Sequence, residues 1–236
     1  MSIKAVTFDL WETLVIDDSD EPKRQAQGRL AKKDERRRLV FESLQRQAPI
    51  SLQEAHRAWD DADGAFLKAW KEDSVTWSLG ERIRRILEAL GRTLPEDEAA
   101  RLIEAIGRIE VDIPPDPIPG ASEALADLAG RYRLSIVSDT IVTPGTRLRD
   151  LLETHGLKQY FTGFAFSDEV GHSKPHRAMF ESAAGQLGVD LAEMVHVGDR
   201  DHNDIKGPQA LGMKAILFTA ARDADQNDTT ADAVCD

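Results

Sequence analysis

The chain opens on a short run of apolar and β-branched residues, Ile3 to Phe8 (IKAVTF), that stops at Asp9. A run of this length, bounded by polar residues, predicts a strand buried on both faces. From about Asp20 to about Ile113 the pattern changes to a helical period. ERIRRILEAL places Ile83, Ile86, Leu87 and Leu90 on one face and charges on the other, and RLVFESLQRQ repeats that spacing. Ser51 with Glu54 and Thr93 with Glu96 read as capping boxes, the second with Pro95 in the first turn. No strand pattern interrupts this stretch, and about four helices are expected in it. Pro114, Pro115, Pro117 and Pro119 end it, because proline cannot continue a helix, and they mark a boundary or hinge.

Beyond Gly120 the pattern alternates. Helical SEALADLAG leads to strand-like RLSIVS, TRLRDLLETHG to FTGFAFS, HRAMFESAAGQLG to EMVHVGD, and IKGPQALG to KAILFT. Repeated βα units imply a parallel sheet with helices on both faces. The last residues, ARDADQNDTTADAVCD, carry no period and are expected to be irregular.

Composition narrows the function classes. A chain with 41% hydrophobic and 31% charged residues is of ordinary globular make-up, so disordered and collagen-like classes drop out. Its 30 Lys and Arg against 42 Asp and Glu give a net charge of −12, which argues against nucleic acid as a partner. The excess is uneven. Residues 17–113 hold 18 basic and 21 acidic side chains, the remainder 12 and 21, so carboxylates concentrate where the sheet is expected and suit a cation there. No run of 18 apolar residues predicts a membrane span. The start, MSIKAVTFDL, reads as a first strand and not as a signal peptide. The lone Cys235 allows no intramolecular disulfide, and a cytoplasmic, reducing location is expected for a monomer or homodimer.

In open parallel sheets ligands collect at the carboxyl ends of the strands. Four such ends carry polar residues: Asp9, Ser138-Asp139, the stretch from Ser167 to Lys174, and Gly198-Asp199. Asp9-Leu10-Trp11-Glu12-Thr13, then Ser138, then Ser167-Asp168-Glu169-Val170-Gly171-His172-Ser173-Lys174-Pro175, then Gly198-Asp199-Arg200-Asp201-His202-Asn203-Asp204 occur in that order. Together they resemble the four motifs of the haloacid dehalogenase superfamily of hydrolases. That resemblance implies an α/β, Rossmann-like parallel-sheet core, residues 1–16 and 114–236, with an α-helical cap, residues 17–113, inserted after the first strand. It further implies a Mg²⁺-dependent hydrolase acting on a small phosphorylated molecule. Asp9 would be the nucleophile, giving an aspartyl-phosphate. Ser138, Thr13 and Lys174 would serve the phosphoryl group by hydrogen bonds and charge. Asp9, the Trp11 carbonyl, Asp199 and Asp204 would hold the metal, a hard cation that favours oxygen ligands. The Trp11 side chain and Asp139 would face the substrate.

Trp11 departs from the phosphatase pattern, which has a second Asp there as general acid and base. An indole N–H cannot shuttle a proton, and proton transfer is typically worth ~10²–10⁴-fold in rate. The 2-haloacid dehalogenases of the superfamily also carry an aromatic residue at this position, because halide leaves without protonation. They need no metal, however, and usually carry Ser and Asn where this chain has Asp199 and Arg200. A dehalogenase-like hydrolase and a catalytically impaired binding protein are therefore the rival readings. Glu12, His172 and His202 are weighed as substitute acids, each more simply read as a loop residue. The basic run Lys32-Lys33-Asp34-Glu35-Arg36-Arg37-Arg38 is read as a solvated helix face, with recognition of an anionic substrate as the sharper alternative. Trp59, Trp70 and Trp77 are expected in the interior or between cap and core, with a substrate-stacking tryptophan as the alternative.

Overall fold

A computed structural model describes residues 2–236. Six strands form one sheet: β1 (Ala5–Phe8), β2 (Arg133–Ser138), β3 (Gly163–Phe166), β4 (Met194–Gly198), β5 (Lys214–Phe218) and β6 (Ala233–Cys235). They lie in the order β3-β2-β1-β4-β5-β6, every pair parallel. The chain is thus α/β with a Rossmann-like parallel sheet. Alternation sorts β1 between two helical layers. Val6 and Phe8 pack with Leu125, Leu148, Leu151 and Leu152 of α7 (Ala121–Ala129) and α8 (Gly145–Thr154). Ala5 faces the opposite layer, packing with Met179, Phe180 and Ala183.

Between β1 and β2 stand α1 (Glu21–Ala26), α2 (Lys32–Gln47), α3 (Leu52–Asp73), α4 (Leu79–Ala89), α5 (Glu96–Gly107) and α6 (Ile109–Asp112). Six helices replace the four expected, because α1 and α6 are too short to show a period. They enclose a separate apolar core in which Ile83 and Ile86 pack with Trp59, Leu44 and Ile106. Ser51 caps α3, its Oγ accepting from the Glu54 N–H at 3.2 Å. Thr93 caps nothing: Pro95 takes the N-cap position of α5, which leaves Thr93 outside the first turn. Ser78 does cap α4, accepting from the Glu81 N–H at 3.2 Å. The two connections to the insertion run side by side. The Ile16 N–H donates to the Asp116 carbonyl and the Ile118 N–H to the Leu14 carbonyl, both at 2.9 Å.

After β3 come α9 (Ser167–Val170) and α10 (Arg177–Leu187), and after β4 a wide helical turn (Asp201–Lys206) that runs into α11 (Gly207–Ala210). The C-terminal stretch expected to be irregular supplies β6, held in register by the Thr219 N–H donating to the Cys235 carbonyl at 2.9 Å. Three residues are too few for an alternation to be read.

Candidate active site

Asp9, Ser138 and Gly198 end or directly follow three adjacent strands, which brings their loops to one edge of the sheet. The Asp9 N–H donates to the Val197 carbonyl at 2.9 Å, extending the β1–β4 ladder by one residue. The chain then turns sharply. The Leu10 N–H donates to Asp9 Oδ1 at 2.7 Å and the Leu14 N–H to the Leu10 carbonyl at 2.8 Å. This turn buries Thr13 and leaves Trp11 half-buried.

Asp9, Asp199 and Asp204 are all buried, and each offers a carboxylate oxygen within 4.8 Å of the others'. Lys174 Nζ lies 2.9 Å from Asp9 Oδ1 and 2.6 Å from Asp204 Oδ1. Burial opposes the ammonium charge, but Asp204, Asp9 and Asp139 outweigh it and hold the Lys174 pKa well above its ordinary value. Asp204 is likewise buried, yet Lys174 and His196 hold its carboxyl below the usual carboxylate range. Its Oδ2 accepts from the Arg200 N–H at 3.0 Å. Any Cβ on Gly198 would overlap the Asp204 side chain, so this approach of turn to strand requires glycine.

Asp199 is less well compensated. Burial first, then the neighbouring Asp9, pushes its carboxyl up to about 7. Its Oδ2 is buried with no hydrogen-bond partner, as are Ser138 Oγ and Thr13 Oγ1. An unmatched buried polar atom costs ~1–3 kcal/mol. Asp199 Oδ2 lies within the carboxylate group and Ser138 ends the strand next to β1, whereas Thr13, expected at the site, lines a separate cavity with Leu14 and Ile118. Asp139 has partners: its Oδ1 accepts from the Lys174 N–H at 2.9 Å, and Asn203 Nδ2 stands 3.5 Å from its Oδ2. It ties two loops of the site together, and burial pushes its carboxyl up to about 7.

His196 belongs to this cluster, and the motif pattern along the chain does not reveal it. Its Nε2 is 3.1 Å from Asp204 Oδ1 and its Nδ1 2.8 Å from Thr7 Oγ1. Burial pushes its pKa down. A neutral ring must therefore carry its proton on Nε2 and donate it to Asp204, while the Thr7 hydroxyl donates to Nδ1. A signal does exist: Thr7 and His196 are each the polar residue inside an otherwise apolar strand, and the sheet register makes them direct neighbours.

A cavity of about 220 Å³ opens above these groups. Asp9, Asp139, Lys174 and Asp199 form its floor, with Trp11 beside them. Lys32, Arg36, Trp70 and Glu110 of the helical insertion face them. The basic run is thus not a uniformly solvated face. Lys32 is buried, with Nζ 2.9 Å from both Asp18 and Asp20 and 3.1 Å from Glu110. Arg37, in contrast, pairs with the more exposed Asp60 and Asp34. Trp59 is buried inside the insertion, and Trp77 stacks under Arg85. Neither Glu12, His172 nor His202 lines the cavity. Glu12 accepts from the Asp17 N–H at 2.9 Å, and the His172 ring stacks on His176 at 3.8 Å.

A family model described as haloacid dehalogenase-like hydrolase matches residues 3–212. The chain is 34% identical to a probable phosphatase, IndB, of Dickeya dadantii over 171 residues, 66% of this chain and 72% of that one. It is 33% identical over 106 residues to the pyrimidine 5′-nucleotidase YjjG of Escherichia coli, a match spanning 44% of this chain and 45% of the relative. A crystal structure of a 2-haloacid dehalogenase from Pseudomonas syringae superposes with a TM-score of 0.66 at 25% identity, covering 99% of this chain and 94% of that one. A phosphatase from Thermococcus onnurineus superposes with a TM-score of 0.61 at 24% identity, covering 98% and 93%, and shares the fold. Among the described residues no helix is long and apolar enough to cross a membrane. With the family match spanning most of the chain and its motifs gathered at one sheet edge, the protein belongs to the haloacid dehalogenase-like hydrolases.

Proposed function

We propose that the protein is a Mg²⁺-dependent phosphoric monoester hydrolase that works through an aspartyl-phosphate at Asp9. The observation that carries this reading is the gathering of the Asp9, Asp199 and Asp204 oxygens within 4.8 Å, with Lys174 bonded to two of them. Residues 1–16 and 114–236 are assigned to the catalytic core and 17–113 to a cap over it.

The residues present fit a hard cation. Asp199 Oδ2 is a buried carboxylate oxygen without a hydrogen bond, its nearest cations being Arg222 at 3.7 Å and Arg200 at 3.8 Å, and all the acidic donors are oxygen ligands of the kind Mg²⁺ prefers. Asp9, Asp199 and the Trp11 carbonyl would hold the ion, with Asp204 acting directly or through water. When bound, Mg²⁺ offsets the repulsion between the carboxylates and an incoming phosphoryl group. Lys174 holds Asp9 by a 2.9 Å ion pair and adds positive charge beside the phosphoryl oxygens. The unpartnered Ser138 hydroxyl donates to those oxygens. An Asp9 oxygen attacks phosphorus, the ester oxygen departs, and water then cleaves the acyl-phosphate to regenerate the carboxylate. Trp11 supplies no proton to the departing oxygen, so esters with poor leaving groups react slowly.

The Trp11 side chain at the cavity wall favours a second reading, displacement of halide from a 2-haloacid by the same Asp9. Phosphate release from p-nitrophenyl phosphate and halide release from 2-chloropropionate, each assayed with Mg²⁺ and with EDTA, separate the two. Phosphate release that EDTA abolishes supports the phosphatase. Halide release indifferent to EDTA, with no phosphate release, refutes it.

A further inference from the structure

A segment outside the four motif loops reaches the candidate metal ligand Asp199. β4 and β5 are parallel neighbours, so residues 219–232, which follow β5, leave the sheet at the edge where Asp199 follows β4. There Arg222 Nη1 donates to the Asp199 carbonyl and to Asp225 Oδ2, both at 2.8 Å. Asp225 Oδ2 also accepts from the Asp201 N–H at 3.1 Å. Asp201 Oδ1 in turn accepts from the Thr229 hydroxyl at 2.7 Å. The short stretch that carries Asp199 is therefore held at Asp199 and Asp201 by Arg222 and Asp225, and at the Arg200 N–H by Asp204.

The Asp199 carboxylate is left out of this network. Arg222 Nη1 stands 3.7 Å from Asp199 Oδ2, outside hydrogen-bond range. The guanidinium thus fixes Asp199 through its main chain and leaves Oδ2 without a hydrogen bond. A carboxylate that ligates a cation needs that division, a backbone held still and an oxygen left open. Partners that orient a metal ligand from outside are typically worth ~10–100-fold in metal affinity. We propose that Arg222 and Asp225 are positioning residues for a divalent cation at Asp199, acting from a segment beyond residue 212, where the family match ends. This rests on the proposed function in that Asp199 is taken as the Mg²⁺ ligand.

Isothermal titration calorimetry of the metal-free protein with Mg²⁺ alone tests it, with urea unfolding measured in parallel. Arg222→Met removes both bonds and a positive charge near the carboxylate. Loss of that charge by itself would tighten Mg²⁺ binding. Loss of position should weaken it, raising Kd by at least ~10-fold. Arg222→Lys keeps the charge, but its ammonium ends a bond short of Nη1, and it should raise Kd by at least ~3-fold. The milder variant guards against misfolding of the other. Asp225→Ala should weaken binding by a factor similar to Arg222→Met, and the double variant by little more than either, because the two residues act as a unit. Unchanged or tighter Mg²⁺ binding in the Arg222 variants overturns the proposal. So does a lowered urea midpoint with Kd unmoved, the mark of a loop anchor and nothing more. Opposite shifts in Arg222→Met and Asp225→Ala that cancel in the double variant overturn it too, since they report charge alone. No Mg²⁺ binding by the wild-type protein sinks the metal reading itself, a result distinct from wild-type binding that the variants leave intact.

Discussion

The α/β part and the helical insertion both bury charge, but they do so differently. In the α/β part the buried charges sit at strand ends, where Asp9, Lys174, Asp199 and Asp204 lie close together and leave polar atoms unmatched. In the insertion most buried charges are enclosed by partners, with Arg36 Nε and Asp20 Oδ2 the atoms left without a hydrogen bond. Arg24 pairs with Glu35, Arg82 with Asp63, and Lys32 with a ring of carboxylates. The first arrangement leaves buried oxygens without hydrogen bonds, a donor set that suits a cation. The second is a set of structural ion pairs whose loss would expose a buried, uncompensated charge.

Two substitutions push that contrast in opposite directions. Asp9→Asn should lower phosphate release by ~10⁴-fold or more, the scale seen when a nucleophile is removed, with far-UV circular dichroism unchanged. Substantial activity in the folded variant would rule out covalent catalysis at Asp9. Lys32→Met should act on stability instead. It leaves Asp18, Asp20 and Glu110 facing one another without their shared cation, and breaking a buried pair typically costs ~3–5 kcal/mol. The midpoint of urea unfolding measures this, and a shift worth under ~1 kcal/mol would show that the ring is better hydrated than its burial suggests.

Much of this contrast is legible in the sequence on the α/β side and little of it on the other. Asp9, Ser138, Lys174 and Asp199 can be read because a parallel sheet fixes where strand ends go, and four polar strand ends in order admit few arrangements. Lys32 cannot. Its partners Asp18, Asp20 and Glu110 come from the loop before α1, from its start and from α6, and helical periodicity says nothing of which helix will cover a given lysine. The Thr93 box fails for a local reason, since Pro95 as N-cap moves the start of α5 past it. His196 needs the register of β1 against β4, which no single strand contains.

A smaller effect sharpens the picture of the core. Asp139 and Asp199 have carboxyls pushed up to about 7, above the ordinary carboxylate value. Between pH 4 and 7 the folded metal-free protein therefore holds protons that the unfolded chain has lost. These two groups should each lower stability as pH rises through that window, by at most ~1.4 kcal/mol per pH unit, while buried His196, with its pKa pushed down, opposes them below the ordinary imidazole pKa of ~6.5. Asp204, with its pKa lowered, contributes in the opposite sense but only at lower pH. Mg²⁺ at 100 times its dissociation constant should restore ~2.7 kcal/mol near neutral pH. It should restore less at pH 5, where Asp199 must first give up its proton. Thermal unfolding with and without Mg²⁺ at both pH values measures it, and a metal effect larger at pH 5 would contradict the assignment of Asp199 as a ligand.

The central claim is that this core has the parts of a phosphatase except the proton donor at Trp11, and Trp11→Asp tests it most directly. Phosphate release from an alkyl ester such as glycerol 3-phosphate should rise, recovering part of the ~10²–10⁴-fold that proton transfer supplies. Release from p-nitrophenyl phosphate, whose leaving group needs little protonation, should rise less. Because the indole is half-buried, unfolding must be followed alongside the rates. A wild-type enzyme that already cleaves the alkyl ester briskly, with no gain in a folded Trp11→Asp variant, would contradict the account and place the proton donor elsewhere.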